Sequence, residues 1–571
     1  MRRTTPRQIL LSASLFAAAC GAACGQSSPD GGFYTGSGAA TSSGGNSSGG
    51  SSEDGGPGGG SGPDPGLLGG DNGGMDAGST LPPSAPIHAG DAGGIACPSG
   101  LQCNVTCSGS GTTSISGTVY DPAGKNPVYN VAVYVPAVPL VPLPAGVPTG
   151  ADACSCGALF QSGALTNTTT AVDGTFTLNN VPVGTNVPLV LQVGKWRRLV
   201  HVNVSACTNN AQAQGSLTLP GSIPAGDTDD NMPDIAVSTG FADTLECLML
   251  RMGLPASEFV PGAGAGHVHV FTGGDPLATA GAAFNGLTSG AAEVNPMPGA
   301  PPSSSSLWSS AAQLMPYDIV LLSCEGGETF SANPSALESY LNAGGRTFAS
   351  HYHYAWFSGP IESAGINSYS APSDWGTNLA TWSSGENSPD PTVIGGIVDT
   401  TLNGSSSPFP KGTALSQWLS DTGALGQNGV AAGELSIYQP RFNATVTPSN
   451  APSQPWITAD STSGASGSTM YFSFDTPIDP AASADGGAGD YCGRAVFSDL
   501  HVSGDPSESD SENVFGGQPA PAGCSATDLS PQEKALEFML FDLSSCVLPD
   551  TVAVPVDAGL PPPPTPPATP K

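Results

Sequence analysis

The chain predicts a multidomain protein. An all-β sandwich is followed by an α/β three-layer domain with a parallel, flavodoxin-like sheet, and both ends are non-globular. Three observations predict this. Short alternating runs separated by tight-turn residues fill positions 95–222, strand-like and helix-like runs alternate over 230–547, and Gly, Ser, Asp and Pro dominate the rest. Alternating strands and helices imply parallel strands with helices on both faces. Residues 21–94 hold almost no large apolar side chain. Such a segment cannot offset its conformational entropy by burial and reads as a disordered tether. The Pro-rich tail, 548–571, is likewise disordered.

The first residues read as an address. Arg2, Arg3 and Arg7 precede a short apolar stretch from Ile9 to Ala19, and Ala17-Ala18-Ala19-Cys20 forms a lipobox. Residues 1–20 are then a lipoprotein signal peptide, and Cys20 is the acylated residue, with Cys24 as the alternative. The apolar run is shorter than the ~20 residues that span a bilayer. The competing reading is an ordinary secretory signal with two incidental cysteines. The expected partner is a membrane, reached through the lipid anchor, and the expected location is the bacterial outer membrane, periplasmic or surface-exposed. With 14 Lys+Arg against 46 Asp+Glu, nucleic acid is excluded as a partner, because phosphate binding needs a basic surface. Protein partners are left open.

Thirteen cysteines point to an oxidising compartment. Apart from Cys20 and Cys24, six fall in the first folded region (Cys97, Cys103, Cys107, Cys154, Cys156, Cys207), where three bridges are possible. Two (Cys247, Cys324) and three (Cys492, Cys524, Cys546) follow. An odd total leaves one thiol outside the set. Zinc is the rival account of Cys154-Ser155-Cys156, but no CxxC pair accompanies it. No metal site and no cofactor are expected.

In the first region, Ser114 to Tyr120 alternates as a strand and ends at Asp121-Pro122-Ala123-Gly124. Val131 to Val135 continues the pattern, and Asp173-Gly174 turns into a strand through Leu178. SGTVYDPAG, AVDGTFTLNNVPVG and the later strand VPLVLQVGKW together resemble the carboxypeptidase regulatory-like (transthyretin-like) β-sandwich. The resemblance implies a spacer or binding module, without the metal ligands of a peptidase.

In the second region the spacing predicts strands at 234–238, 267–271, 317–322, 346–350, 470–474 and 494–498. It predicts helices over 241–252, 307–315 and from Asn333 to Leu341. Ser530-Pro531-Gln532-Glu533 opens a last helix with a capping box, and Leu536, Met539, Leu540 and Leu543 form its buried stripe. Residues from about 366 to 465 read as an irregular insertion. Asp227-Thr228-Asp229-Asp230-Asn231 with Asp234 is either an acidic linker or a set of oxygen ligands for calcium.

YDIVLLSCEGGE, AGGRTFASHYHYAWF and CGRAVFSDLHVSG resemble the ThuA-like group of the class I glutamine amidotransferase-like fold. The resemblance implies a sharp turn after the 346–350 strand, with His351 where amidotransferases hold a cysteine, and His501 at the end of a later strand. Ligands in such sheets bind at the carboxyl ends of the strands. The expected site therefore has His351, His501 and Glu325 as catalytic groups, with the His351 imidazole presented to solvent. His353, Trp356, Gly326 and Gly327 would contact ligand, the two glycines through their N–H groups. Cys324 ends the preceding strand and reads as buried or bridged to Cys247. His267 and His269 read as strand residues. The resulting expectation is a cell-surface or periplasmic lipoprotein that binds carbohydrate. The alternatives are an enzyme acting on glycosides or sugar derivatives, and a structural or adhesive protein with a vestigial site.

Overall fold

The computed structural model describes residues 97–551. Breaks fall at 151–152, 155–158, 274–300, 363–367, 385–392, 462–466, 479–490, 501–513 and 520–527, and at 110, 241–242, 244, 326, 439, 516–517 and 548. The signal sequence with Cys20 and Cys24, the tether and most of the Pro-rich tail lie outside the described residues. So do Gly326 and His501.

Two four-stranded sheets form the first region. One holds β1 (Ser114–Tyr120), β4 (Thr175–Asn179), β7 (Asn209–Ala211) and β8 (Leu217–Thr218). The other holds β2 (Ala132–Pro136), β3 (Ala164–Thr169), β5 (Gly184–Val193) and β6 (Trp196–Val204). Alternation decides what is buried: Ile115, Val119, Phe176 and Leu178 of the first sheet share a core with Val133, Val135, Leu189 and Leu191 of the second. The run VPLVLQVGKW is not one strand. It breaks at Gly194-Lys195, and Val193 pairs with Trp196 across a two-residue turn.

A ten-stranded sheet forms the second region. Its parallel part runs in the order β10 (Phe259–Pro261), β11 (Val268–Phe271), β9 (Ile235–Ser238), β12 (Ile319–Leu322), β13 (Arg346–Ser350) and β20 (Gly493–Ser498). The antiparallel strands β19 (Thr469–Thr476), β18 (Ser453–Ala459), β15 (Val393–Val398) and β16 (Leu435–Tyr438) extend it. A small ribbon pairs β14 (Thr381–Trp382) with β17 (Ala444–Thr445). Seven α-helices are described: α1 (Leu245–Arg251), α2 (Ser304–Leu307), α3 (Ala311–Leu314), α4 (Pro334–Asn342), α5 (Tyr354–Ser358), α6 (Pro410–Asp421) and α7 (Pro531–Ser544).

Strand periodicity divides the sheet into two buried faces. Ile235, Val237, Ile319, Leu321 and Val496 pack with α1, α6 and α7. Ala236, Val320, Leu322, Ala349 and Phe497 pack with α2 to α5. Burial on both sides is why β12 reads as a continuous apolar run.

Two readings of the sequence need correction here. The stretch read as irregular supplies β15, β16, β18 and the twelve-residue α6, and so completes the sheet. Helix α7 keeps its capping box but is buried on nearly all sides, not along one stripe. The cause is that α7 lies between the two regions. Phe538 stacks on Tyr129 at 4.1 Å, and Trp196 meets Phe541 edge-on at 5.8 Å. Gly194 approaches α7 so closely that a Cβ there would fall 1.8 Å from the Ser544 carbonyl oxygen.

The seam is polar as well as apolar. Asp542 of α7 accepts a hydrogen bond from the Tyr129 hydroxyl at 2.5 Å. It also pairs with Lys411 of α6 at 3.0 Å and with Arg494 of β20 at 3.1 Å. Burial would raise its pKa, but Lys411 and Arg494 outweigh burial and hold it below the usual carboxylate range. Lys195 reaches Asp318 from the β5–β6 turn at 2.5 Å.

Cys97–Cys103 and Cys107–Cys207 bridge within the first region, whereas Cys154–Cys492 joins it to the second. Cys247 is disulfide-bonded, but not to Cys324, whose thiol is buried.

At the same seam Asp121, after β1, meets Glu537 of α7 carboxyl to carboxyl, and Asn126 donates to Glu537 at 2.7 Å. Burial first, and Asp121 second, push Glu537 well above the ordinary carboxylate range. Because the folded value is raised, its stability contribution is complete below the unfolded value, near 4.5, and is lost as pH rises toward the folded one. Each unit of elevation corresponds to about 1.4 kcal/mol. Glu537→Gln should therefore melt close to the parent at pH 4–5 and several degrees above it at pH 8. Parallel thermal melts across that range check this, and a gap that fails to widen with pH contradicts the buried acid pair.

Candidate functional site

The carboxyl edge of the parallel strands gathers the predicted residues. Strands β9, β13 and β20 each end in serine (Ser238, Ser350, Ser498), and β12 is followed by Ser323; the polar residues come next. After β12 come Cys324 and Glu325, after β13 His351 to His353, and after β20 Asp499. Space here is tight: a Cβ on Gly273 would lie 3.0 Å from Glu325 Oε1.

The sharp turn is present. Ser350 is extended, His351 has φ +46°, and a single 3₁₀ turn leads into α5. That φ lies in the left-handed region, which is costly for a residue with a Cβ and is held by surrounding structure. The expected exposure is absent: His351 is 0% exposed. The turn tucks the imidazole beneath the strand ends instead of offering it to solvent.

His353 is also buried. Its Nδ1 donates to the Ser350 carbonyl at 3.1 Å, and its Nε2 lies 4.0 Å from Glu325 Oε1. Burial lowers its pKa to about 4, so the ring is neutral at physiological pH. The 4.0 Å separation is too long for direct proton transfer. Trp356, expected to contact ligand, is enclosed; its indole N–H donates to Thr329 at 3.0 Å and its ring meets Trp308 edge-on at 5.0 Å. Glu328 accepts from the Tyr354 hydroxyl at 2.6 Å and from Ile361 N–H at 2.6 Å, tying α5 to the chain that follows it. Gly327 is half-buried between Glu325 and Glu328.

An open cleft lies beside this cluster. About 420 Å³ in volume, it is lined by Trp308, Phe330 and Tyr369 together with Ser305, Ser309 and Asn333. It belongs to the same edge, since Ser304 of α2 shares a hydrogen bond with Ser238 of β9 at 2.7 Å. Glu328 and Glu325 act electrostatically on Tyr369, whose hydroxyl is pushed up chiefly by burial. Trp308 is fixed by Trp356 behind it, whereas Phe330 is 36% exposed. The exposed wall of the cleft is therefore Phe330, with Trp308, only 3% exposed, and behind it Trp356 and His353 as backing.

No protein-family description, curated protein or solved structure matches the chain.

Sequence reasoning passed over Asp499 and Arg441. Burial raises Asp499 to about 7, and its Oδ2 accepts from Asn443 N–H at 2.9 Å. The Arg441 guanidinium sits 4.4 Å above the Tyr352 ring, and its charge acts on Cys324. Asp499 was detectable as the first residue beyond a strand end; Arg441 lay in the stretch read as irregular.

The remaining candidates make contacts within the fold. His267 Nδ1 pairs with Glu258 at 2.6 Å, and His269 Nδ1 donates to the Gly262 carbonyl at 2.7 Å. Asp227 accepts from the backbone of Asp229 and Asp230, and Asp230 accepts from Leu199 N–H, so this acidic segment is a turn docked on β6. Among the described residues no three His, Cys, Asp or Glu side chains are grouped to hold a metal ion, and no helix is long and apolar enough to cross a membrane.

The backbone at His351 yields a direct test. A Cβ in the left-handed region costs about 1 kcal/mol relative to glycine. His351→Gly should thus be more stable than His351→Ala by about that amount in urea unfolding, although both lose the imidazole packing. Alanine at or above glycine would mean that the turn is not held in this conformation.

Proposed function

We propose that this is an exported, lipid-anchored bacterial surface or periplasmic protein that binds carbohydrate in the cleft at Trp308, Phe330 and Tyr369. The observation that carries the reading is the composition of that cleft: aromatic rings rigidly backed on one side, with serine hydroxyls and an amide around them, at the carboxyl edge of a parallel sheet. Ligand sites combine apolar walls with a few placed polar groups, and sugar rings offer an apolar face and hydroxyls that both donate and accept.

In this reading ligand contact passes from His351, His353 and Trp356 to the cleft residues, because the former are enclosed. Two facing four-stranded sheets with a common core support a regulatory-like β-sandwich as a spacer. Six parallel strands covered by helices on both faces support a ThuA-like, flavodoxin-like second domain. Three disulfides among the described residues support an oxidising compartment, and the lipobox at Cys20 supports the anchor.

The test is a glycan panel against the purified protein, read by tryptophan fluorescence and repeated with added divalent metal. Phe330→Ala should weaken binding of a retained glycan roughly five- to tenfold, equivalent to about 1–1.4 kcal/mol, with an unchanged melting temperature. A panel without any retained glycan, or affinity indifferent to Phe330 and Tyr369, would sink the proposal.

A further inference from the structure

We propose that the cleft at Phe330 and Tyr369 selects uncharged saccharides, whose ring hydroxyls donate hydrogen bonds to it, and discriminates against glycans that carry carboxylates. The inference rests on the saccharide reading above and narrows it to one chemical class.

Most donors around the cleft are already in use. The Trp308 indole N–H donates to the Ser331 carbonyl at 3.3 Å, and the Ser309 hydroxyl donates to the Ser306 carbonyl at 3.0 Å. Asn333 donates from Nδ2 to the Ser309 carbonyl at 3.3 Å and accepts at Oδ1 from Ala336 N–H, where it caps α4. The Tyr369 hydroxyl is shielded from solvent. These bonds hold the lining in place and leave lone pairs on exposed Ser309 and on Asn333, with one amide N–H. A carboxylate only accepts hydrogen bonds, whereas a sugar hydroxyl donates as readily as it accepts. The hydroxyl is therefore the better complement of this lining.

The surrounding charge has one sign. Positions 252–410 hold twelve Asp and Glu against a single arginine, Arg346. That arginine is taken up at the seam, where it donates to the carbonyls of Gly344, Cys492 and Leu543. Arg441 stacks on Tyr352, and among the described residues no Lys or Arg lines the cleft. The charges that do act on its wall are Glu328 and Glu325, through Tyr369. Glu328 Oε1 accepts from the Tyr354 hydroxyl and from the N–H groups of Ile361 and Glu362, an arrangement that stabilises a carboxylate. Like charge is concentrated by a cleft with low-dielectric walls, so an anionic ligand meets repulsion with no cation to offset it. An ammonium sugar escapes the repulsion, but among the described lining residues it finds no carboxylate to replace its lost water. An uncharged sugar incurs neither cost.

Fluorescence titration of the full chain with matched oligosaccharides decides the matter. The probes are β-1,4-glucose, α-1,4-glucose and β-1,4-galactose oligomers, each also as its C6-carboxylate form, together with a chitosan oligomer as the amine. At least one neutral oligomer should bind, and its carboxylate form should bind roughly tenfold more weakly at low salt. That gap should narrow at about 0.5 M salt, where exposed charges are screened. Ser305→Lys, at an exposed lining position, should shrink it too. The amine should bind no more tightly than the neutral oligomer. A carboxylate form that binds as well as its neutral parent, or an amine that binds better, overturns the selectivity and leaves the saccharide reading intact. A gap that neither salt nor Ser305→Lys alters is steric and overturns the role of charge. Silence from every probe overturns both readings.

Discussion

One carboxylate holds the molecule's parts in register. Asp542 receives the Tyr129 hydroxyl from the first region, Lys411 from the helix of the supposed insertion, and Arg494 from the parallel sheet. None of these groups tolerates burial alone. A buried charge that loses its partner typically costs about 3–5 kcal/mol, so each element is committed to the others once α7 is in place. The apolar contacts around α7 supply most of the adhesion, and Asp542 fixes which face of the helix meets which partner.

That arrangement explains why the two regions do not behave as beads on a string. The apolar residues of the first region run without interruption into those of α1, α6 and α7. The position of the two four-stranded sheets therefore bears on the sheet whose opposite edge carries the polar cluster. The cleft and the seam sit at different places on one ten-stranded sheet.

The sequence was legible where one physical effect dominated. Strand β12 was readable from Ile319 to Leu322 because a buried parallel strand is a short apolar run closed by polar residues, and α7 because Ser530 and Glu533 form a capping box. The turn at His351 was legible only through resemblance; its burial was not, since enclosure depends on residues distant in sequence. Strand β15 was obscured by Gly395 and Gly396, which weaken the strand pattern. Helix α6 carried a usable signal in Pro410, Leu415, Trp418 and Leu419 that the surrounding Ser and Gly residues diluted. Arg441 was hidden for a related reason: a lone arginine among loop residues acquires meaning only when Tyr352 and Asp499 come to lie beside it.

The Cys154–Cys492 bridge closes the chain on itself across 338 residues. A protease that severs the backbone anywhere inside this ring opens a loop without releasing a fragment. Damage of that kind leaves a single covalent body, and only a reductant separates the pieces.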